Sequence, residues 1–173
     1  MLLASSVMKR FNAPSSTSLI AVSAIATTVC LAVTALLWRS LTAAQFGRFS
    51  FWLTLLPLAL VVGSALFTVR GYTLSGDVLL IHRLFWSTRV TLAGLRSAEF
   101  HPAAMRGSIR TFGNGGFFSF TGWYRNRLLG SYRAFATDPQ RTTVLRFTDR
   151  TVVLSPDRPE EFFRELSPSN RNI

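Results

Sequence analysis

The sequence contains few of the residues that build disulfides, metal sites and catalytic centres. Its 173 residues include one cysteine, two histidines and eight acidic residues. The single Cys30 cannot form an intramolecular disulfide, so the sequence gives no sign of an oxidising compartment. His82 and His101 have no second ligand at metal-site spacing, and we therefore predict no metal site.

No set of residues matches a catalytic arrangement. Ser119 lies between two phenylalanines, without the Gly-x-Ser-x-Gly elbow of a serine hydrolase. Asp149 and Asp157 lie at a predicted turn and a predicted helix start, where aspartate commonly bonds to the backbone. The sequence therefore predicts a protein that is not an enzyme and that has no catalytic residues and no cofactor.

Charge is absent from two long stretches, residues 17–38 and residues 49–69. At about 1.5 Å per helical residue, each is long enough to cross the roughly 30 Å hydrocarbon layer of a membrane. We predict two transmembrane helices joined by a short extracytoplasmic loop at residues 39–48, after a disordered lead at residues 1–16. A cleaved signal peptide is the competing interpretation of the first stretch, although its apolar part is longer than in most signal peptides.

The distribution of basic residues predicts which way this hairpin faces. Five basic residues flank the two stretches on the outside and two lie between them, which places both termini in the cytoplasm by the positive-inside rule. Neither stretch contains an ionisable residue, so the sequence predicts no transport pathway. The residues counted are Lys9, Arg10, Arg70, Arg83 and Arg89 against Arg39 and Arg48.

After Arg70 the chain alternates between apolar and polar residues in short runs. A hairpin is predicted from residues 72–74 and 78–83, with Gly76 and Asp77 in its turn. Closely spaced short strands predict a small antiparallel barrel or sandwich. The further predicted strands lie near residues 90–92 and at residues 96–100, 133–136, 142–148 and 151–154.

The last predicted element is a helix with an apolar side. Asp157 is its expected N-cap, Pro159 lies in its first turn and Glu160 is the capping-box partner. This helix would cover the open end of the barrel, and residues 167–173 are predicted to be a flexible tail. Its expected apolar side chains are Phe162, Phe163 and Leu166.

Six of the eleven glycines lie between Gly107 and Gly130. The run Gly113, Asn114, Gly115 and Gly116 is a candidate backbone nest for an anion. Tight turns and strand bends explain the same glycines without any ligand, and this simpler explanation is favoured. The run is followed by no Gly-Lys-Ser/Thr, and it contains no dinucleotide-binding fingerprint.

Arginine and aromatic residues surround the glycine segment and are the candidate binding residues. Such a surface suits anionic lipid headgroups or a protein partner. Single-stranded nucleic acid is a third option, which tethering at a membrane disfavours. Positive-inside bias and arginine-rich composition also explain much of the net charge of +11 without any ligand. The candidates are Arg106, Arg110, Arg125, Arg127, Arg133, Trp123 and Tyr124.

Four segments after Arg70 occur in a familiar order and spacing: residues 72–81, 112–117, 129–132 with Thr137 and Asp138, and 154–162. Through them this part of the chain resembles the bacterial pleckstrin-homology-like (PH-like) domains, which often follow one or two membrane spans. The matching segments cover nearly all of residues 70–166 and none of the apolar stretches. The resemblance implies a barrel of about seven strands capped by a C-terminal helix. It brings no catalytic residues and leaves the ligand open.

Together these observations predict a mainly β, α+β fold: a two-helix transmembrane hairpin followed by a PH-like domain at residues 70–166. The predicted protein is a multi-pass component of the bacterial inner membrane, with its domain in the cytoplasm. Its predicted function is non-catalytic: a scaffold for protein–protein interaction or self-assembly with a protein partner or a second copy. The alternative is recognition of anionic phospholipid headgroups by the basic loop face.

Overall fold

The computed structural model describes residues 8–43 and 48–166. Most of this region is β-structure, which confirms the mainly β, α+β class. The predicted tail at residues 167–173 lies outside the described part. In chain order the elements are β1 (Lys9–Asn12), α1 (Thr17–Ala43), α2 (Arg48–Leu66), β2 (Gly71–Ser75), β3 (Val78–His82), β4 (Ser87–Thr91), β5 (Leu95–Phe100), β6 (Ile109–Phe117), β7 (Ser119–Asn126), β8 (Gly130–Ala136), β9 (Thr143–Phe147), β10 (Thr151–Leu154) and α3 (Pro159–Leu166).

The strands form two sheets that do not close into a barrel. The first has the order β1-β2-β3-β4, and the second has the order β5-β9-β10-β8-β7-β6. The pairing of β10 with β8 is parallel, whereas the other pairings are antiparallel. Of the predicted antiparallel barrel or sandwich of about seven strands, the sandwich is confirmed, whereas the closed barrel and the strand number are wrong, because the described region has two open sheets with four and six strands. The described region gains β1 from before the helices and a long β6–β7 hairpin from the glycine segment.

One core lies between the two sheets, because alternate residues of each strand point toward the opposite sheet. Phe162 and Leu166 of α3 are buried in the same core, so the predicted terminal helix does cover it. Burying one large apolar side chain stabilises a fold by about 1.5–3 kcal/mol. The largest buried side chains of this core are Phe11, Tyr72, Leu79, Ile81, Leu92, Phe135, Leu145, Leu154 and Phe162.

The start of α3 differs from the prediction. The helix begins at Pro159, so the residue before it is Arg158, and Asp157 is not its N-cap. The carboxylate of Asp157 instead accepts hydrogen bonds from the backbone N–H of Asn12 (3.1 Å) and from its side-chain amide (3.3 Å). Phe163, expected on the apolar side, is exposed.

Residues 9–12 are ordered, which corrects the prediction of a disordered lead over residues 1–16. β1 pairs antiparallel with β2, with Phe11 opposite Tyr72. Phe11 is 1% exposed and belongs to the core between the sheets. Burial of this aromatic ring explains why a short strand with a single large apolar residue is ordered.

The second apolar stretch is shorter as a helix than residues 49–69. α2 ends at Leu66, because Val69 is buried in the core of the domain and cannot also continue an exposed helix. Of the described helices, Thr17–Ser40 alone is both long and apolar enough to cross a membrane by length and composition. The apolar part of α2, Trp52–Leu66, is shorter than that criterion requires.

The strand directions give the domain two distinct ends. We call the end that adjoins α1 and α2 the helix end and the opposite one the far end. β7 runs from the helix end to the far end, a distance of about 23 Å at 3.3 Å per residue. Asn12, Gly71, His82, Ser87, Phe117, Ser119 and Ala136 lie at the helix end, whereas Ser75, Val78, Thr91, Ile109, Asn126 and Gly130 lie at the far end.

Candidate functional site

A cavity of about 630 Å³ opens at the helix end, where α2 meets β6, β7 and β8. Three arginines lie in its wall, Arg83, Arg110 and Arg133. Most of the remaining wall is apolar, which is the usual composition of a small-molecule site with a few polar contacts. The apolar side chains that line it are Leu60, Phe67, Phe112, Phe117 and Trp123.

Arg83, directly after β3, is the most buried of the three arginines at 8% exposed. Its guanidinium donates hydrogen bonds to the backbone carbonyl of Phe67 (2.7 Å) and to the hydroxyl of Thr88 (3.3 Å). It also lies 5.4 Å from the ring centroid of Phe67 and 5.5 Å from that of Phe135. These contacts fix a cation against aromatic rings.

The charge of Arg83 is not balanced by a carboxylate among the residues that the structure describes. Burial lowers the pKa of Arg83, and the positive charge of Arg133 lowers it further. A guanidinium nevertheless stays protonated in proteins. The cavity therefore contains a buried positive charge for which an anion would be the natural partner.

Arg133 and Arg110 extend this positive region along the cavity wall. The guanidinium of Arg133 lies 4.9 Å from the ring centroid of Phe135 and 5.9 Å from that of Trp123. Arg110 donates a hydrogen bond to the carbonyl of Gly113 (3.1 Å). Both are exposed, so their remaining N–H groups can contact a ligand that enters the cavity.

The acidic side chains of the described region form their ion pairs elsewhere. None of the recorded pairs includes an arginine of the cavity. The positive charge at the helix end is therefore not offset by the protein's own carboxylates. The pairs are Lys9 with Glu165, Arg141 with Asp138, Arg150 with Asp149, and Arg158 with both Asp157 and Glu161.

The cavity extends along the surface of α2. Leu60, Gly63 and Ser64 of this helix form one side of it. A Cβ atom added to Gly63 would have no atom within 4 Å, so open space lies directly against the helix backbone. A ligand with an apolar tail would therefore lie against α2 while its polar group meets the arginines.

The candidate residues from the sequence divide into those that line the cavity and those that do not. Arg110, Arg133 and Trp123 line the cavity. Arg110 lies next to Ile109 at the start of β6, and its side chain reaches along the strand to the carbonyl of Gly113. Arg125 pairs with Ile109 at the far end, and Arg127 lies in the turn that follows β7. Arg106 lies in the loop before β6, and all three of these arginines are exposed. The predicted single basic face therefore divides into arginines that line the cavity and arginines that do not.

Tyr124 faces away from the cavity. It belongs to a second cluster of buried residues, which lies on the opposite side of the six-stranded sheet from the core and includes Met105 and Leu129, and its ring stacks there on that of Tyr132. Its hydroxyl donates to the carbonyl of Asn114. Burial raises the pKa of Tyr124 to about 12. These contacts assign Tyr124 to the packing of the sheet.

The predicted anion nest is part of a strand. Gly113, Asn114 and Gly115 of β6 pair with residues 120–122 of β7. The side chain of Asn114 bonds to both backbone groups of Phe117, and Arg110 covers Gly115. The segment is therefore not the free, concave loop that a nest requires.

Two residues central to the cavity were missed from the sequence as site residues, Arg83 and Phe67. Arg83 was placed as the last residue of a predicted strand and was counted for membrane orientation, while Phe67 was included in an apolar stretch. Phe112 was noted among the aromatic residues but not selected. Only the approach of β3, α2 and β8 in space brings these side chains together, and no spacing along the chain indicates it.

Comparison with known proteins gives one match. A family model described as bacterial PH domain matches residues 70–169. No curated protein and no solved structure matches the chain. The matched region begins after α2, so it includes the three cavity-lining strands β6, β7 and β8 and also Arg83, but not β1, which completes the first sheet.

Proposed function

The chain belongs to the bacterial PH domain family, and we propose that it is a membrane-anchored binding protein without catalytic activity. In this proposal the domain recognises an anionic group in the cavity at the end of α2. The observation that carries the proposal is Arg83, a buried guanidinium without a carboxylate partner in the described region. An anion beside it would supply the missing counter-charge.

The surface of α1 and α2 supports the membrane anchor. Only 11% of the most apolar window of α1 is buried within the protein. Ile25, Leu36 and Leu56 are among the large apolar side chains that both helices expose. A contiguous apolar surface of this kind is rare on soluble proteins. Its burial in a membrane would stabilise the protein by about 25 cal/mol for each Å² of apolar surface removed from water.

The pairing of β1 with β2 supports two crossings instead of one. β1 precedes α1 and β2 follows α2, yet they are neighbours in one sheet. The chain therefore leaves the domain after β1 and returns to the same domain before β2. If α1 crosses the membrane, α2 must cross back, and its 19 residues reach about 28 Å.

The same pairing argues against a cleaved signal peptide. Cleavage within or after α1 would separate β1, with the buried Phe11, from the sheet that it completes. The excess of basic residues outside the hairpin favours a domain on the cytoplasmic side of the bacterial inner membrane.

The cavity suits the headgroup of an anionic phospholipid. Arg110 and Arg133 offer N–H groups to phosphate oxygens, and Arg83 adds a buried positive charge behind them. Because α2 forms one wall, a lipid in the bilayer would reach the cavity without leaving the membrane. This proposal transfers the lipid-binding role from Arg125 and Arg127, at the far end, to the arginines at the helix end.

The test uses the full chain purified in a neutral detergent. A short-chain anionic phospholipid and its zwitterionic analogue are titrated, and bound lipid is counted by native mass spectrometry at low and at physiological ionic strength. We expect saturable binding of the anionic lipid alone. The double variant Arg110→Ala/Arg133→Ala should weaken it by about tenfold or more, since each hydrogen bond to a charged group contributes about 1.5–3 kcal/mol.

The matched control is Arg125→Ala/Arg127→Ala, which removes the same charge at the far end of the domain. It should keep the affinity of the unmodified chain. Equal losses in both double variants would reduce the effect to net charge and contradict a site in the cavity. Equal binding of the zwitterionic lipid would contradict anion recognition altogether.

A protein partner or a second copy remains a second candidate, and one observation favours it. β6 is an edge strand of the second sheet, and its Ile109 and Phe112 are exposed, at 73% and 74%. Edge strands can pair with another chain. Self-assembly predicts a defined crosslinked dimer in native membranes that survives moderate salt and is lost in Phe112→Asp.

A further inference from the structure

The turn between β3 and β4 has three consecutive apolar residues at its tip, Leu84, Phe85 and Trp86. All three are exposed, and Phe85 is the most exposed of them at 76%. The turns at residues 75–77 and 148–150 of the far end are polar by comparison. An exposed aromatic tip of this kind commonly marks a surface for binding another molecule or a membrane.

The turn is held firmly against the end of α2. The backbone N–H of Arg83 donates to the carbonyl of Trp86 (2.8 Å), which closes the turn. The ring of Trp86 meets that of Phe67 edge to face at 5.2 Å, and Phe67 directly follows the last residue of α2. The guanidinium of Arg83 bonds to the carbonyl of Phe67 and lies 5.8 Å from the Trp86 ring centroid.

A second aromatic turn lies at the same end of the domain. Phe117, the last residue of β6, and Phe118, which links β6 to β7, stack with their ring centroids 4.7 Å apart. The backbone N–H of Phe118 donates to the hydroxyl of Ser23 in α1 (2.8 Å). Ser23 lies six residues after Thr17, the first residue of α1, or about 9 Å along its axis. The domain therefore already reaches along the apolar surface of the hairpin.

We propose that residues 84–86 insert into the membrane interface and, with the β6–β7 turn, hold the domain in one orientation against the bilayer. The proposal rests on the membrane anchor of the proposed function and is independent of the ligand. We infer lipid as the binding partner of the turn, because the turn is fixed where α2 would leave the bilayer. Aromatic residues are enriched at this membrane–water interface. The backbone N–H of Arg70 donates to the carbonyl of His82, which places Arg70 beside the turn. The exposed side chain of Arg70 would contact anionic headgroups there.

This orientation has a direct consequence for the cavity. Phe67 and Arg83 support the turn and also line the cavity. With the tip of the turn in the interface, the side of the cavity formed by Leu60 and Gly63 faces lipid instead of water. Diffusion of a ligand within the membrane would then be the route to the arginines.

The experiment measures the depth of the turn in the full chain, reconstituted in phosphatidylcholine vesicles. A single tryptophan is introduced by Phe85→Trp after Trp38, Trp52, Trp86 and Trp123 are replaced by phenylalanine. We expect several-fold stronger fluorescence quenching by phosphatidylcholine brominated near the glycerol end of its acyl chains than by iodide in the water. The matched control, Leu128→Trp in the same background, lies at the exposed far end and should show the reverse order.

A second label tests the same depth without replacing the tryptophans. The double variant Phe85→Cys/Cys30→Ser has one cysteine, which is labelled with a nitroxide. Relaxation of the nitroxide by oxygen measures its exposure to lipid, and relaxation by a water-soluble nickel complex measures its exposure to water. Greater access to oxygen than to nickel supports insertion. Full access to nickel, or protection from both reagents by a protein neighbour, would overturn it.

Failure of the inference can be separated from failure of the anchor. A variant that keeps only Trp38, near the end of α1, should be quenched by brominated lipid if the hairpin is in the membrane. Quenching of Trp38 together with iodide access at position 85 overturns the inserted turn and leaves the anchor intact. Absence of lipid quenching at both positions overturns the anchor itself.

Discussion

The rings of Phe11 and Phe162 meet edge to face with their centroids 5.0 Å apart, and they join the segment before the apolar helices to the last helix of the chain. Two polar contacts join the same two segments. Asp157 accepts hydrogen bonds from Asn12, and Lys9 forms an ion pair with Glu165 at 2.5 Å. The α1–α2 hairpin is therefore an insertion between two neighbouring strands of one domain.

Replacement of Phe11 by alanine should destabilise the domain strongly. Its ring is 1% exposed and packs in the core against Phe162, so the variant leaves a cavity. Loss of a buried phenylalanine costs about 3–5 kcal/mol. The measurement is the thermal unfolding midpoint of the full chain in detergent. Met8→Ala, at an exposed neighbouring position, is the control and should leave the midpoint unchanged. An unchanged midpoint in Phe11→Ala would mean that β1 is not part of the folded domain.

The sequence predicted those strands that carry their own local signals. β2 and β3 alternate around a Gly-Asp turn, β9 and β10 are rich in valine, threonine and other strand formers, and β8 contains Tyr132 and Phe135. β1 was missed because its four residues include one large apolar side chain and its partner is more than fifty residues away. Nothing local marks such a strand, since the contacts that stabilise it come from the core.

The glycine segment misled the prediction for a related reason. Glycine is depleted in strands and frequent in turns, so a run of glycines predicts turns. In β6 and β7 the glycines instead allow two backbones to approach closely. The cavity could not be predicted from the sequence either, because Arg83 and Arg133 become neighbours only when the two sheets pack against each other.

Gly122→Ala tests this role of the glycines. Gly122 pairs with Gly113, has a φ of +145°, and a Cβ there would lie 2.2 Å from the carbonyl oxygen of Phe112. Steric overlap with backbone and conformational strain together should cost about 2 kcal/mol or more. The free energy is measured by thermal unfolding of the full chain in detergent.

Gly130→Asn is the control for this variant. Gly130 also has a positive φ, of +68°, but nothing lies within 4 Å of its added Cβ. Asparagine tolerates that conformation, so the loss should be below about 1 kcal/mol. Equal losses of stability in the two variants would show that the positive φ alone determines the cost. The close approach of β6 and β7 would then not explain why glycine is needed at Gly122.

The tyrosines should resist ionisation in the folded chain. Burial raises the pKa of Tyr72 and of Tyr124 to about 12, and burial also raises that of Tyr132. A raised pKa means that the folded state favours the neutral phenol, so this contribution to stability is present below about pH 10 and is lost as the pH rises through about 12. Phenolate absorbance should therefore be nearly absent at a pH slightly above 10 in the folded chain.

The reference for this titration is the chain unfolded in denaturant, whose three tyrosines should ionise near pH 10. Tyr72→Phe tests the most buried of them. Its hydroxyl donates to the carbonyl of Phe135 (2.6 Å) and accepts from the N–H of Ser155 (3.1 Å), so its removal should cost about 1–3 kcal/mol. Ionisation of the folded chain near pH 10 would contradict the packing of these side chains.

His82 should make the domain less stable in mild acid. Burial, and then the positive charge of Arg10, lower the pKa of His82 from its ordinary value of 6.5. The folded state then binds a proton less readily than the unfolded state, so stability falls as the pH drops below about 6.5. His82 bonds through its two ring nitrogens to Thr73 (2.8 Å) and Ser87 (2.9 Å). In the neutral ring one nitrogen accepts from one hydroxyl and the other donates to the second, so protonation removes the accepting nitrogen and the hydrogen bond that it receives.

The measurement compares the unfolding midpoints at pH 7 and pH 5 for the full chain in detergent. His82→Gln removes the titrating group and should show a smaller decline than the unmodified chain. His101→Gln replaces the other histidine, which lies in the loop after β5, and should keep the full decline. If His101→Gln removes the decline and His82→Gln does not, then protonation at the junction of β2, β3 and β4 is not what destabilises the domain in acid.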